Sequence, residues 1–243
     1  MIIVNLTKKK LLIPLILLVF LPSCVNDNGY RIVGDKVFFE YPWNTGFGSR
    51  IIEVDADPES FETLGTNNMK WARDKDFVFI KGKKLEFIDR DSFEVLNTEF
   101  AKDKNQVFCG LENVKEAHAN NFRIREFYNL SGEKVVLGID DNAAYDCYFG
   151  RYTYMPSDSI DALQPLYGKY YRDKNYVYWW GQKITQLQVE KLKPLNGKYI
   201  ADSELVYYTN KIVEGADSST FVVTGEQTAK DKKHRYQSEK IVD

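Results

Sequence analysis

Hydrolytic, redox and group-transfer chemistry needs nucleophiles, bases or metal ligands at defined spacings, and this chain offers few. It holds two histidines, His118 and His234, and three cysteines, Cys24, Cys109 and Cys147. No Cys-x-x-Cys, His-Glu-x-x-His or Gly-x-Ser-x-Gly string occurs, and Gly46-Phe47-Gly48 lacks the third glycine and the following helix of a dinucleotide loop. Ser131 and Lys134 have the spacing of an acylated-serine pair without its companion strings, and Tyr170 and Lys174 that of a hydride-transfer pair. Asp55/Asp57, Asp89/Asp91 and Asp140/Asp141 could offer oxygens to calcium. A hard cation wants six to eight oxygens from a regularly spaced loop with a glycine bend, which none of these provides. The expectation is no catalytic residue, no metal and no cofactor.

The third cysteine, Cys24, belongs to a different chemistry. Lys8, Lys9 and Lys10 precede an apolar run from Leu11 to Phe20, and Leu21-Pro22-Ser23-Cys24 closes it. The run is shorter than the roughly 20 residues a spanning helix requires, so it reads as a secretory signal. Leu-Pro-Ser-Cys resembles the bacterial lipobox, which implies removal of residues 1–23 and a lipid on Cys24. The membrane is then met through covalent acyl chains, each buried methylene contributing about 0.8 kcal/mol. Residues 24–30 are polar and turn-prone, as a short tether would be. The expected location is the cell envelope, periplasmic or surface-exposed. Cleavage removes three lysines and no acid, leaving 30 basic against 35 acidic residues and a formal charge of −5. That balance argues against nucleic acid as a partner. In an oxidising compartment Cys109 and Cys147 are either a disulfide or two buried small side chains.

Most of the remaining sequence repeats itself. Asp74, Asp103, Asp173, Asp202 and Asp231 recur at intervals of 29 residues, except for one gap of 70 that must hold a diverged copy about 12 residues longer. Three residues before each Asp, in four of these copies, comes Trp71, Phe100, Tyr170 or Tyr199; four and five after it come Val78-Phe79, Val107-Phe108, Val177-Tyr178 or Val206-Tyr207. Such a period marks a repeat array. Asp-Lys-Asn between aromatic and β-branched residues favours strand–turn–strand, because Asp and Asn bond nearby backbone and tolerate left-handed geometry. Val177 to Trp180 then form a second strand, Gly181 a turn, and Lys183-Ile184 a third strand. In "DADPESFETL", Asp57 caps and Pro58 opens one helical turn; "DRDSFEVL" and "ADSSTFVV" repeat this. His118 stands where other copies carry Asp89 or Asp217, a cap or surface position.

Aromatic, Asp-Lys-Asn and Val-Tyr/Phe together resemble the bacterial DKNYY repeat family, over nearly all of residues 31–243. The resemblance implies architecture and brings no catalytic residues. The expected fold is mainly β: about seven units, each a short antiparallel meander plus one helical turn, stacked as an extended array. A unit of 29 residues cannot bury its own apolar face, so stacking on neighbours must stabilise it. A propeller fits less well, since a four-stranded blade usually takes about 40–45 residues. The charged end, Lys230 to Arg235, would blunt an edge strand or hold an anion.

Two departures from the period carry the functional expectation. Residues 40–50 lengthen the first unit and bring Tyr41, Trp43 and Phe47; residues 138–159 lengthen the central one and bring Tyr145, Tyr148, Tyr152 and Tyr154. Insertions in repeat proteins map to one face, often the binding face, and aromatics beside Asn and Asp suit a protein or glycan ligand. The same residues could instead pack as a satellite core. The leading reading is a non-enzymatic, lipid-anchored scaffold for protein or glycan binding. Its alternatives are a structural spacer, a toxin-neutralising lipoprotein, and a hydrolase of envelope polymer, which would need Asp140, Asp141, Asp146 and Asp158 in one pocket.

Overall fold

The computed structural model describes residues 29–42, 48–65 and 71–242. The signal segment, Cys24, Trp43 and Phe47 lie outside the described residues. Strand begins at Gly29, inside the stretch expected to be tether. Among the described residues seven antiparallel sheets follow one another, the first three-stranded and the other six four-stranded.

The sixth unit shows the common pattern: Lys193–Pro194, Tyr199–Ala201, Val206–Tyr208 and Lys211–Ile212 pair in sequence order. Four strands fit into 29 residues because each is only two or three residues long, which removes the length objection to a four-stranded unit. The helical turn between units is a 3-10 turn at Arg90–Ser92, Ile160–Ala162 and Val189–Lys191.

Alternation along these strands decides the stacking. In the second unit Trp71, Val78 and Ile80 point forward, and they pack with Leu85 and Phe93 against Ala101 and Phe108 of the third. Ala72 and Phe79, the middle residues, point back to Val37, Phe39 and Val54 of the first. Both faces are covered, so Val78–Ile80 and Val206–Tyr208 are buried throughout. Among the described residues the apolar core forms six clusters, each bridging two consecutive units. None joins the first unit to the seventh among the described residues, so the stack is open rather than closed like a propeller. Each large side chain buried at these joints contributes about 1.5–3 kcal/mol. In the seventh unit the forward positions hold Thr228, Arg235 and Gln237, where the sixth has Tyr199, Val206 and Tyr208. Its outward strand positions are therefore polar, with Val242 exposed beside them.

The turn aspartate fastens each joint from the polar side. Asp202 Oδ1 accepts from the backbone N–H of Glu204 and Leu205, both at 2.8 Å, closing its own turn. Its Oδ2 accepts from Gln188 N at 2.8 Å, in the turn that precedes the unit. Asp74, Asp103 and Asp231 repeat this with Asp57 N, Asp89 N and Asp217 N. The next residue adds to it: Lys104 N donates to Ser92 Oγ at 3.0 Å, while its ammonium lies 2.6 Å from Asp89. Lys104 and Ser92 together hold the Asp89 carboxyl down at about 2. The lysine and serine types in this motif thus have a structural use. In the first unit Asp35 sits with Gly34 in the turn that joins Gly29–Val33 to Lys36–Pro42, and its side chain is exposed.

The diverged copy turns on Asp140. Its Oδ1 accepts from Asn142 N and Ala143 N, both at 2.9 Å, and its Oδ2 from His118 N at 3.0 Å. His118 therefore stands where Asp89 and Asp217 stand in their units, with its side chain exposed, as a cap or surface position allows. Tyr145 donates to the same Oδ2 at 2.9 Å, as Tyr178 does to Asp173 at 2.7 Å. Burial pushes the Asp140 carboxyl up, but donation from His118, Asn142 and Tyr145 outweighs it and holds the group below its usual value.

The extra residues of this fourth unit were expected as one insertion at 138–159. They instead lengthen two hairpins. Phe122 precedes Asp140 by 18 residues where Phe93 precedes Asp103 by 10, so eight of them come before the aspartate and four after. All four strands, Arg123–Tyr128, Lys134–Ile139, Ala143–Tyr148 and Arg151–Pro156, reach six residues.

Candidate functional site

The aspartate turns lie at one end of every sheet, and the hairpin tips at the other end escape that anchoring. Where the third strand turns into the fourth, the first turn residue is left-handed: Lys81 (φ 49°), Phe149 (51°), Trp180 (47°), Thr209 (58°) and Ser238 (56°). Glycines at positive φ follow three of them, Gly82, Gly150 and Gly181, as primed hairpin turns require. A side chain in that region costs about 1–2 kcal/mol, and bulky residues avoid it. The fourth and fifth units nonetheless put aromatics there, and both are open to solvent: Phe149 is 85% exposed and Trp180 45%. Trp180 was expected inside the second strand, but that strand ends at Trp179. The turn slot claims Trp180 because its N–H bonds Lys169 O at 3.2 Å, as Thr209 N bonds Lys198 O at 2.8 Å.

The two tips share a patch. Tyr148 stacks on Phe149 at 4.3 Å between ring centroids. Lys169 Nζ sits 5.7 Å from the Tyr148 ring centre and 5.2 Å from that of Trp180. The same ammonium pairs with Asp146 at 2.6 Å, and Tyr171 OH donates to Asp146 at 3.3 Å. Any Cβ at Gly181 would run into the Tyr154 carbonyl oxygen and the Thr153 side chain, so the fifth unit's tip lies directly on the fourth unit's last strand.

The tyrosines grouped by sequence do not form one platform. Tyr145 pairs across strands with Tyr154, and Cys147 with Tyr152, on the face toward the third unit; Tyr148 lies on the other face. Tyr145 is fully buried, its hydroxyl bonded to Glu116 O and Asp140, so it is not a surface residue. Tyr152 donates to Glu116 at 2.7 Å, and burial followed by that carboxylate pushes its hydroxyl up to about 12. Tyr154 is 39% exposed against Tyr145. Tyr41 is half-buried beside Phe39, in core rather than on a platform. Of the expected surface residues that are described, Tyr148 joins the tip patch. Phe149 and Trp180 escaped sequence reasoning, although an aromatic–glycine pair where other copies read Lys-Gly or Thr-Asn was a usable signal.

A disulfide joins Cys109 to Cys147, with Cα atoms 5.8 Å apart, and so crosses from the third unit to the fourth. Beside it the backbones nearly touch, since a Cβ on Gly110 would lie 3.0 Å from Gly150 Cα. An open groove of about 610 Å³ borders this contact, lined by Leu111, Glu112, Gly150, Arg151 and Tyr152.

The four acids required by a hydrolase are engaged separately. Asp140 holds its turn, Asp141 faces Arg123 at 3.7 Å, Asp146 holds Lys169, and Asp158 is exposed. No group of three or more His, Cys, Asp or Glu among the described residues is arranged to hold a metal. No helix among them is long and apolar enough to cross a membrane. No curated protein and no solved structure matches the chain. The DKNYY family model matches residues 71–240, the span that carries the aspartate turns and the paired aromatics described above. The chain belongs to the DKNYY family.

Proposed function

We propose that the protein is a lipid-anchored, non-catalytic component of the cell envelope whose β-repeat stack is a scaffold for binding protein or glycan. The observation that carries the binding claim is the pair of solvent-exposed aromatics, Phe149 and Trp180, held at adjoining tips in backbone that aromatic residues avoid. Strain of this kind persists where the surroundings hold it and often marks a functional position. Phe149 adds almost nothing to the stack by burial and Trp180 keeps nearly half its surface in solvent, while the equivalent turns manage with Lys81, Thr209 and Ser238. The disulfide between Cys109 and Cys147 supports an oxidising compartment. The lipobox at Leu21 to Cys24 supports the anchor.

Two experiments test the reading. Cys24→Ser is expected to move the protein from the membrane to the soluble fraction; retention in the membrane removes the lipid anchor. The soluble chain from residue 24 is expected to retain a ligand from envelope extract or on a glycan array. Clean negatives in both leave only a spacer.

A further inference from the structure

Resting on that reading, we propose that the tip patch of Tyr148, Phe149 and Trp180 binds a pyranose ring of a glycan, with Lys169 and Asp146 engaging its hydroxyls. A sugar ring has an apolar face of C–H bonds and an equatorial belt of hydroxyls. It therefore needs a flat aromatic surface with a donor and an acceptor at its edge, the usual division of a small-ligand site. The patch supplies each part. Phe149 and Trp180 offer exposed ring surface on two tips. Lys169 Nζ lies over one face of both the Tyr148 and Trp180 rings, so its N–H groups sit between the two tips, beside the ring surface left open. One of its three protons faces Asp146 at 2.6 Å, which leaves two for a ligand. The Asp146 side chain is only 13% exposed, and its Oδ2 takes both Lys169 and Tyr171. A half-sunken ion pair fixed in this way is pre-organised as a hydrogen-bonding edge. Arg151, directly across the hairpin from Tyr148, adds a further donor.

A lipid surface suits the patch less well. Inserting these rings into acyl chains would bring the Lys169–Asp146 pair to the boundary, where its desolvation opposes insertion. A flat protein interface would take a larger area than three rings.

Retention of the Cys24→Ser chain on immobilised neutral and uronic-acid hexopyranose oligosaccharides tests the proposal, with Trp quenching as a second readout. Wild type is expected to be retained by at least one set. Phe149→Ala and Trp180→Ala are each expected to weaken retention tenfold or more with an unchanged thermal midpoint. Tyr128→Ala, a 65% exposed aromatic at the other tip of the fourth unit, is expected to change nothing. Retention that survives both tip substitutions overturns this site and leaves the binding scaffold standing. Silence on all oligosaccharides with capture of an envelope protein overturns the glycan class alone. Capture by phosphatidylglycerol vesicles that depends on Phe149 and Trp180 overturns it in favour of a membrane. Silence on oligosaccharides, extract and vesicles together removes the scaffold reading as well.

Discussion

The fourth and sixth units solve the same problem at two lengths. Each has four antiparallel strands, a buried aspartate closing its central turn, and an aromatic five residues on, Tyr145 or Tyr207, packed against the preceding unit. In the sixth the strands are two or three residues long; in the fourth all are six. The difference shows which part of a unit is constrained. At the aspartate end, backbone donors of two turns converge on one carboxylate, and neither length nor residue type can drift there. At the tip end only a hairpin turn must form, and antiparallel pairing accepts residues two at a time. The fourth unit spends that freedom on the disulfide and the exposed rings.

If the shared aspartate is the common constraint, Asp140→Ala and Asp202→Ala should both be severe. Each exposes three or more buried donors, and a loss of about 3–5 kcal/mol is expected for either in urea unfolding. A mild Asp140→Ala beside a severe Asp202→Ala would break the equivalence of the two units. Next in size is the disulfide peculiar to the long unit. Cys147→Ser should lower stability by about 2–4 kcal/mol, read from the same curves under oxidising conditions. The forward aromatic of the short unit ranks third. Tyr199 OH donates to Gln227 O and Ser238 O, both at 2.9 Å, so Tyr199→Phe should cost about 1–3 kcal/mol. Trp71 holds the same position with a buried Nε1 that has no partner, so Trp71→Phe should be nearly neutral in that term.

Acid extends the comparison to the fourth through seventh units. The Asp140, Asp173, Asp202 and Asp231 carboxyls are held below their ordinary 3.8, burial opposing the shift and turn donors outweighing it. A carboxyl depressed in the folded state stabilises it fully above the unfolded value and loses that contribution as pH falls through the folded one. Thermal midpoints should therefore hold from neutral pH to about 5 and fall steadily below about 4. A midpoint that rises on acidification contradicts the anchoring role. The smallest effect belongs to the tips: Phe149→Gly should leave stability unchanged or raise it by up to about 1 kcal/mol by relieving the left-handed turn.

Much of the array was visible in the residues. The period, the Asp-Lys-Asn turn, the cap at Asp89 and the strand at Ile184 rest on contacts within a few residues, and all recur in the structure. Counting alone sets His118 at the position of Asp89 and Asp217, and its N–H bonds the turn aspartate as theirs do. The sixth aspartate, Asp140, was missed because eight residues intervene in its hairpin and displace it from the period; the pairing of Asp140-x-Asn142 with Tyr145 was the available clue. Trp180 was assigned to strand because aromatic character favours strand, and the turn slot overruled that preference.

Local chemistry was thus written into the chain: where it turns, which residues alternate, how long a copy is. Which tyrosines share a face, whether Cys109 meets Cys147, and which two tips adjoin depended on how neighbouring copies stack. Those relations join residues far apart in sequence, and a one-residue change of register sends a side chain to the opposite face. Only the assembled stack could decide them.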